Sequence, residues 1–106
     1  MIRVIATVTT KPGCRGAWLE AFRANRPTVL AEAGCRVYDA HLPIDAGLPG
    51  LPPPSAEVAV ILETWDSPAH LQAHLKTPHM IDYGAKVKDL VAGPTTVQVL
   101  DDGDGK

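Results

Sequence analysis

Strand periodicity that gives way to helix periodicity and returns, twice within 106 residues, predicts an α+β domain. The order β-α-β-β-α-β is that of a ferredoxin-like fold, an antiparallel sheet with its helices on one face. A chain of this length makes one domain, set at residues 1–100, with 101–106 as a disordered acidic tail. A second observation extends the prediction. The third strand is apolar on both faces, with Val58, Val60 and Leu62 on one and Ala59 and Ile61 on the other. Helices cover only one face of such a sheet. The simplest second cover is the same sheet of another copy, so a homodimer through sheet faces is expected.

The elements follow in order. Ile2, Val4, Ala6 and Val8 alternate with Arg3, Ile5, Thr7 and Thr9, which is a strand, and Lys11-Pro12-Gly13 breaks it. Over 15–33 the period becomes helical: Trp18, Phe22, Asn25 and Val29 fall on one stripe. Pro27 removes a backbone donor and predicts a kink or break, and Gly34 ends the helix in the left-handed region. A second strand, 35–42, places Tyr38 and Val37 on opposite faces. The proline-rich run 43–55 is a long exposed loop, either a functional lid or a tolerated insertion. The third strand covers 57–65. Ser67-Pro68 and Thr77-Pro78 each start a helix, since the hydroxyl caps orphan N–H groups and proline suits the first helical position. These helices are expected at 67–75 and 78–92, with Gly93-Pro94 as the stop and a fourth strand at 95–100.

Composition excludes several classes. A net charge of −2 without a basic stripe argues against nucleic acid. No apolar run approaches ~20 residues and the chain opens on a strand pattern, so neither a membrane span nor a signal peptide is expected. The two cysteines, Cys14 and Cys35, have no CxxC spacing and no disulfide-dense setting, which fits reduced thiols in a cytoplasmic protein.

Chemistry concentrates between Glu63 and His79, which holds three of the four histidines and one of the two tryptophans. Gly13-Cys14-Arg15-Gly16 matches neither a dinucleotide fingerprint nor a P-loop, and there is no G-x-S-x-G, so no cofactor is assigned. His70 and His74, at i and i+4, share a helix face and have a spacing suited to a metal. A third ligand would come from His79, Glu63 or Asp66; without an H-E-x-x-H pattern no metal is assigned. His74 lies beside Leu71 and Leu75 and so points at the sheet. Such a histidine is either structural or catalytic. Its company favours catalysis: Glu63 and Trp65 share a strand face, and Tyr38 lines a neighbouring strand.

Three motifs resemble a known family. They are E-x-G-C-x-x-Y (Glu32, Gly34, Cys35, Tyr38), E-x-W-x-S (Glu63, Trp65, Ser67) and an H-x-x-[ST]-P-H run (His74, Thr77, Pro78, His79). In this order they resemble the antibiotic biosynthesis monooxygenase domain, from the first strand to about Leu100. The resemblance implies a dimeric ferredoxin-like α/β barrel with a pocket between sheet and helices. The family includes cofactor-independent quinol and anthrone monooxygenases, an autoinducer-processing isomerase and haem-degrading enzymes. The haem-degrading branch uses an asparagine on the first strand, absent here, and a tryptophan about where His74 stands. Haem breakdown is disfavoured.

A cofactor-free oxygenase on a small aromatic substrate and O2 suits these residues. Deprotonation makes a phenol or quinol a far better electron donor to O2, which requires a base, donors for the oxyanion and a dry pocket. His74 is the candidate base, with Trp65 N–H and Tyr38 O–H as donors and Glu63 orienting a histidine or moving a proton itself. Trp18, Phe22 and Met80 are candidates for the pocket wall. Asn25 is either a pocket donor or a buried side chain satisfied by backbone, and His79 and Tyr83 complete the substrate-binding set. Two alternatives share the pocket: an isomerase that does not use oxygen, and a non-catalytic small-molecule-binding dimer.

Overall fold

The computed structural model describes residues 1–103. The order is β1 (Ile2–Thr9), α1 (Arg15–Leu30), β2 (Cys35–His41), β3 (Val58–Trp65), α2 (Pro68–Leu75), α3 (Pro78–Val87) and β4 (Thr96–Asp101). The strands lie in the order β2-β3-β1-β4, every neighbouring pair antiparallel. This is the ferredoxin-like arrangement expected from the sequence. One crossover, through α1, spans β3; the other, through α2 and α3, spans β1.

Alternation along β1 and β3 sets the core. Opposed pairs Ile2–Trp65, Val4–Glu63, Ala6–Ile61 and Val8–Ala59 stack on the helix-covered face, and all eight residues are buried. Trp18, Phe22 and Val29 of the α1 stripe close over them. Two helix ends fall earlier than expected. α1 ends at Leu30 rather than 33, its cap residue Ala31 donating back to the carbonyl of Pro27. Pro27 neither breaks nor ends α1, because near the C-terminal end and on the exposed side it removes a single backbone bond. α3 ends at Val87 rather than 92 because the chain beyond it is recruited by β1. Val91 bridges Thr10, and Ala92 N–H donates to the Thr9 carbonyl at 2.8 Å. Tertiary pairing overrides helical periodicity there.

Gly34 has φ +83°, in the left-handed region, and a Cβ there would lie 2.4 Å from the His70 ring. Glycine is required twice over, by conformation and by space.

Among the described residues no helix covers the second sheet face. Ile5, Val60, Leu62 and Leu100 lie on it in register, and Leu62 and Leu100 are exposed. Every residue of β4 is exposed. The strand takes in Asp101, one residue past the expected boundary, and Asp102 accepts a hydrogen bond from Arg3. Residues 104–106 of the expected tail lie outside the described residues. The 43–55 run has no helix or strand and exposes Ile44, Leu48 and Leu51; the Arg15 guanidinium fixes its far end by donating to the Ser55 and Val58 carbonyls, both at 3.1 Å. Among the described residues no helix is long and apolar enough to cross a membrane.

Candidate active site

The corner between β3, α2 and α3 is fixed by its two start signals. Ser67 Oγ accepts from the His70 backbone N–H and lies 2.7 Å from His70 Nδ1. His70 is thereby tied to its own helix cap, and Asp66 to Arg36 through two 2.8 Å bonds. His70 and His74, whose i, i+4 spacing alone would suit a metal, have different partners. At the second corner the Thr77 hydroxyl donates to the His74 carbonyl at 2.8 Å instead of capping a helix N–H.

His74 faces the sheet, as the helical phase predicted, and is only 2 % exposed. Its ring packs against Trp65 at 4.7 Å and meets Tyr38 edge-on at 5.5 Å, and Tyr38 stacks on Phe22 at 4.9 Å. The residue that orients it is Glu32, whose Oε2 lies 2.8 Å from His74 Nδ1 and 2.7 Å from His79 Nε2. The protons follow from the network. Thr77 spends its one hydroxyl proton on the His74 carbonyl, so its oxygen accepts from His79 Nε2–H at 3.2 Å, and that N–H also points at Glu32. A carboxylate at Glu32 likewise takes the proton of His74 Nδ1–H. In that tautomer His74 Nε2 carries the lone pair.

Glu63 does not orient a histidine. Its Oε1 accepts the Trp65 indole N–H at 2.8 Å, so the indole is engaged by protein rather than held free for a substrate oxyanion. Burial pushes the Glu63 carboxyl above its usual range, against the Trp65 bond and the nearby His74, which favour the ionised form. Burial, reinforced by Glu63, drives the Tyr38 phenol far up, which keeps its hydroxyl protonated. Tyr83 is pushed up to about 12, also by burial. The Cys35 thiol is raised to about 11 by burial and by Glu32 and Glu63, and both cysteines are free. Thiolate chemistry is thereby disfavoured.

A cavity of about 400 Å³ opens between the sheet and α2–α3. Its floor is Val4, Ala6 and Ile61, its walls include Trp18, Leu71, Met80 and Tyr83, and Tyr38, Glu63 and His74 supply polar groups. The remaining expected residues stand outside it. Phe22 and Trp65 are buried behind Tyr38 and His74. Asn25 reaches Met80, its amide 3.4 Å from Sδ, and is neither a cavity donor nor satisfied by backbone. His79 lines a separate depression with Asn25, Asp82 and Tyr83. Glu32 is the residue that reasoning from local sequence does not assign. It lies within the first motif, but its partners are 42 and 47 positions away.

A largely buried carboxylate–histidine pair lies beside an apolar cavity under the helices of a ferredoxin-like sheet, an arrangement suited to acid–base chemistry on a small, largely apolar molecule. Comparison with known proteins gives the family. The antibiotic biosynthesis monooxygenase family model matches residues 1–86, and the chain belongs to that family. It is 42% identical over 90 residues to the Escherichia coli K12 protein named "Probable quinol monooxygenase YgiN", covering 83% of this chain and 86% of that one. The structure of Rv0793 from Mycobacterium tuberculosis matches with a TM-score of 0.75 at 30% identity, covering 94% of this chain and 92% of that one. That of PA3566 from Pseudomonas aeruginosa matches with a TM-score of 0.74 at 27% identity, covering 93% and 90%.

Proposed function

We propose that this chain is a cofactor-independent monooxygenase that oxidises a small electron-rich aromatic, a quinol or related phenol, with O2. The observation that carries the reading is the Glu32–His74 pair at the wall of an apolar cavity. Glu32 holds the proton on Nδ1, which leaves Nε2 as the base and stabilises the imidazolium once Nε2 takes the substrate proton. Tyr38 O–H supplies a donor for the developing phenolate, and the apolar walls limit hydration of that charge. The phenolate then reduces O2. In a hydroquinone the ring supplies all four electrons: one oxygen atom replaces a ring hydrogen, the other leaves as water, and the product is a hydroxyquinone. The substrate gains one oxygen atom and gives up two hydrogens to the water, so atoms and electrons balance without an external reductant. The quinol named for the E. coli relative fits this chemistry.

The same reading includes a homodimer. Among the described residues no helix covers the apolar stripe of Ile5, Val60, Leu62 and Leu100, and a second copy of the sheet would bury it.

The test is turnover of hydroquinones and anthrones under labelled O2. One labelled atom should enter the organic product and the other the water. Substrate converted without uptake of label would replace the oxygenase by an isomerase, and binding without conversion would leave only a ligand-binding domain.

A further inference from the structure

The same corner holds a second arrangement that the acid–base reading does not use. Glu32 Oε2, His74 Nδ1 and His79 Nε2 come from three elements: the turn after α1, the helix α2 and the start of α3. All three atoms lie within 4.8 Å of one another. Two imidazoles and one carboxylate make a donor set that first-row divalent ions prefer, and metal–ligand bonds of about 2.0–2.2 Å set such atoms roughly 3 Å apart. The two contacts to Glu32, at 2.8 and 2.7 Å, already have this spacing.

We infer that Glu32, His74 and His79 form a binding site for a divalent transition-metal ion of the zinc, cobalt or nickel class. The ion would replace the two protons that now bridge the nitrogens to Glu32. On the His79 side lies a depression of about 180 Å³ lined by Asn25, His79, Asp82, Tyr83 and Lys86, the nearest route by which an ion would reach the site. Asp82 and Lys86 on its wall oppose each other in charge, so the Glu32 carboxylate supplies the negative charge of the site. The Thr77 hydroxyl, bonded to the His74 carbonyl and beside His79 Nε2, couples the two ligand-bearing helices. Coordination through Nδ1 leaves the His74 proton on Nε2, so the metal form presents an N–H rather than a base to the cavity. That last consequence rests on the role proposed for His74; the binding itself does not.

The experiment uses the full chain after chelator treatment and reads binding, not turnover. Zn2+ is titrated in competition with a chromophoric chelator, and Co2+ is followed by its visible absorption. The expected result is one ion per chain and Co2+ bands of a nitrogen- and oxygen-bound ion. Affinity should fall at least tenfold to a hundredfold in His79→Ala and in Glu32→Gln, since removing a ligand costs no less than removing a partner behind one. His41→Ala, at the exposed end of β2, should bind as wild type. Absence of Co2+ bands in the wild type overturns the site whatever the variants do. So does affinity unchanged in a folded His79→Ala protein, or affinity lost in His41→Ala.

Discussion

Replacing Trp65 by Phe tests the electrostatics of the site directly. The ring stays against His74, but the indole N–H that reaches Glu63 at 2.8 Å is lost. Both side chains are buried, at 0% and 8% exposure, so solvent does not replace that donor freely. A hydrogen bond to a charged group contributes about 1.5–3 kcal/mol and one to a neutral group about 0.5–1.5 kcal/mol. The sign with pH follows from burial, which raises the folded-state pKa of Glu63 above its ordinary 4.5. Stability is therefore greatest while Glu63 is protonated, and it falls as pH rises from 4.5 through the folded value. The indole bond favours the carboxylate and limits that fall; without it Glu63 is raised further and the fall is larger. Trp65→Phe should thus cost about 1 kcal/mol more at about pH 8 than at about pH 4, on top of a packing loss that pH does not change. In a domain of this size that difference is about 4–8 °C in Tm, measurable by calorimetry or urea unfolding. In a Glu63→Gln background the pH dependence should vanish. An equal cost at both pH values, or pH dependence that survives in Glu63→Gln, would refute the reasoning.

Other predictions concern the fold and the assembly. Gly34→Ala should destabilise by about 1–2 kcal/mol from its positive φ alone, and further because the new Cβ meets the His70 ring; denaturant unfolding at unchanged m-value reads it. A wild-type midpoint would remove the steric account. Light scattering should give twice the chain mass of 11.3 kDa for the wild type, and Leu62→Lys, which places a charge in the middle of the bare face, should shift it to the single-chain mass. A wild-type protein at the single-chain mass would contradict the sheet-face dimer.

Much of the fold was legible because its signals are local. Alternation of Ile2, Val4, Ala6 and Val8, the Trp18–Phe22–Val29 stripe and the two hydroxyl–proline starts depend on neighbours in sequence, and each lies where periodicity put it. The phase of α2 also placed His74 on the sheet side. What was not legible is tertiary. Residues 88–92 continue a helical pattern, yet the end of β1 pairs with them, which is a contact between positions some 80 apart. Glu32 as the partner of His74 and His79 depends on how the turn after α1 packs against two later helices, and no spacing rule encodes that. Asn25 reads as a polar break in an apolar stripe; only the approach of Met80 explains it.

The most direct test of the central claim is the turnover of wild type against His74→Ala on a quinol that both bind. With Nε2 of His74 as the base, the variant's kcat should fall about a hundredfold or more, the usual size of a general-base contribution, with substrate affinity nearly unchanged. A His74→Ala enzyme that consumes O2 at the wild-type rate would contradict the account and leave Glu63, raised by burial at the same cavity wall, as the base.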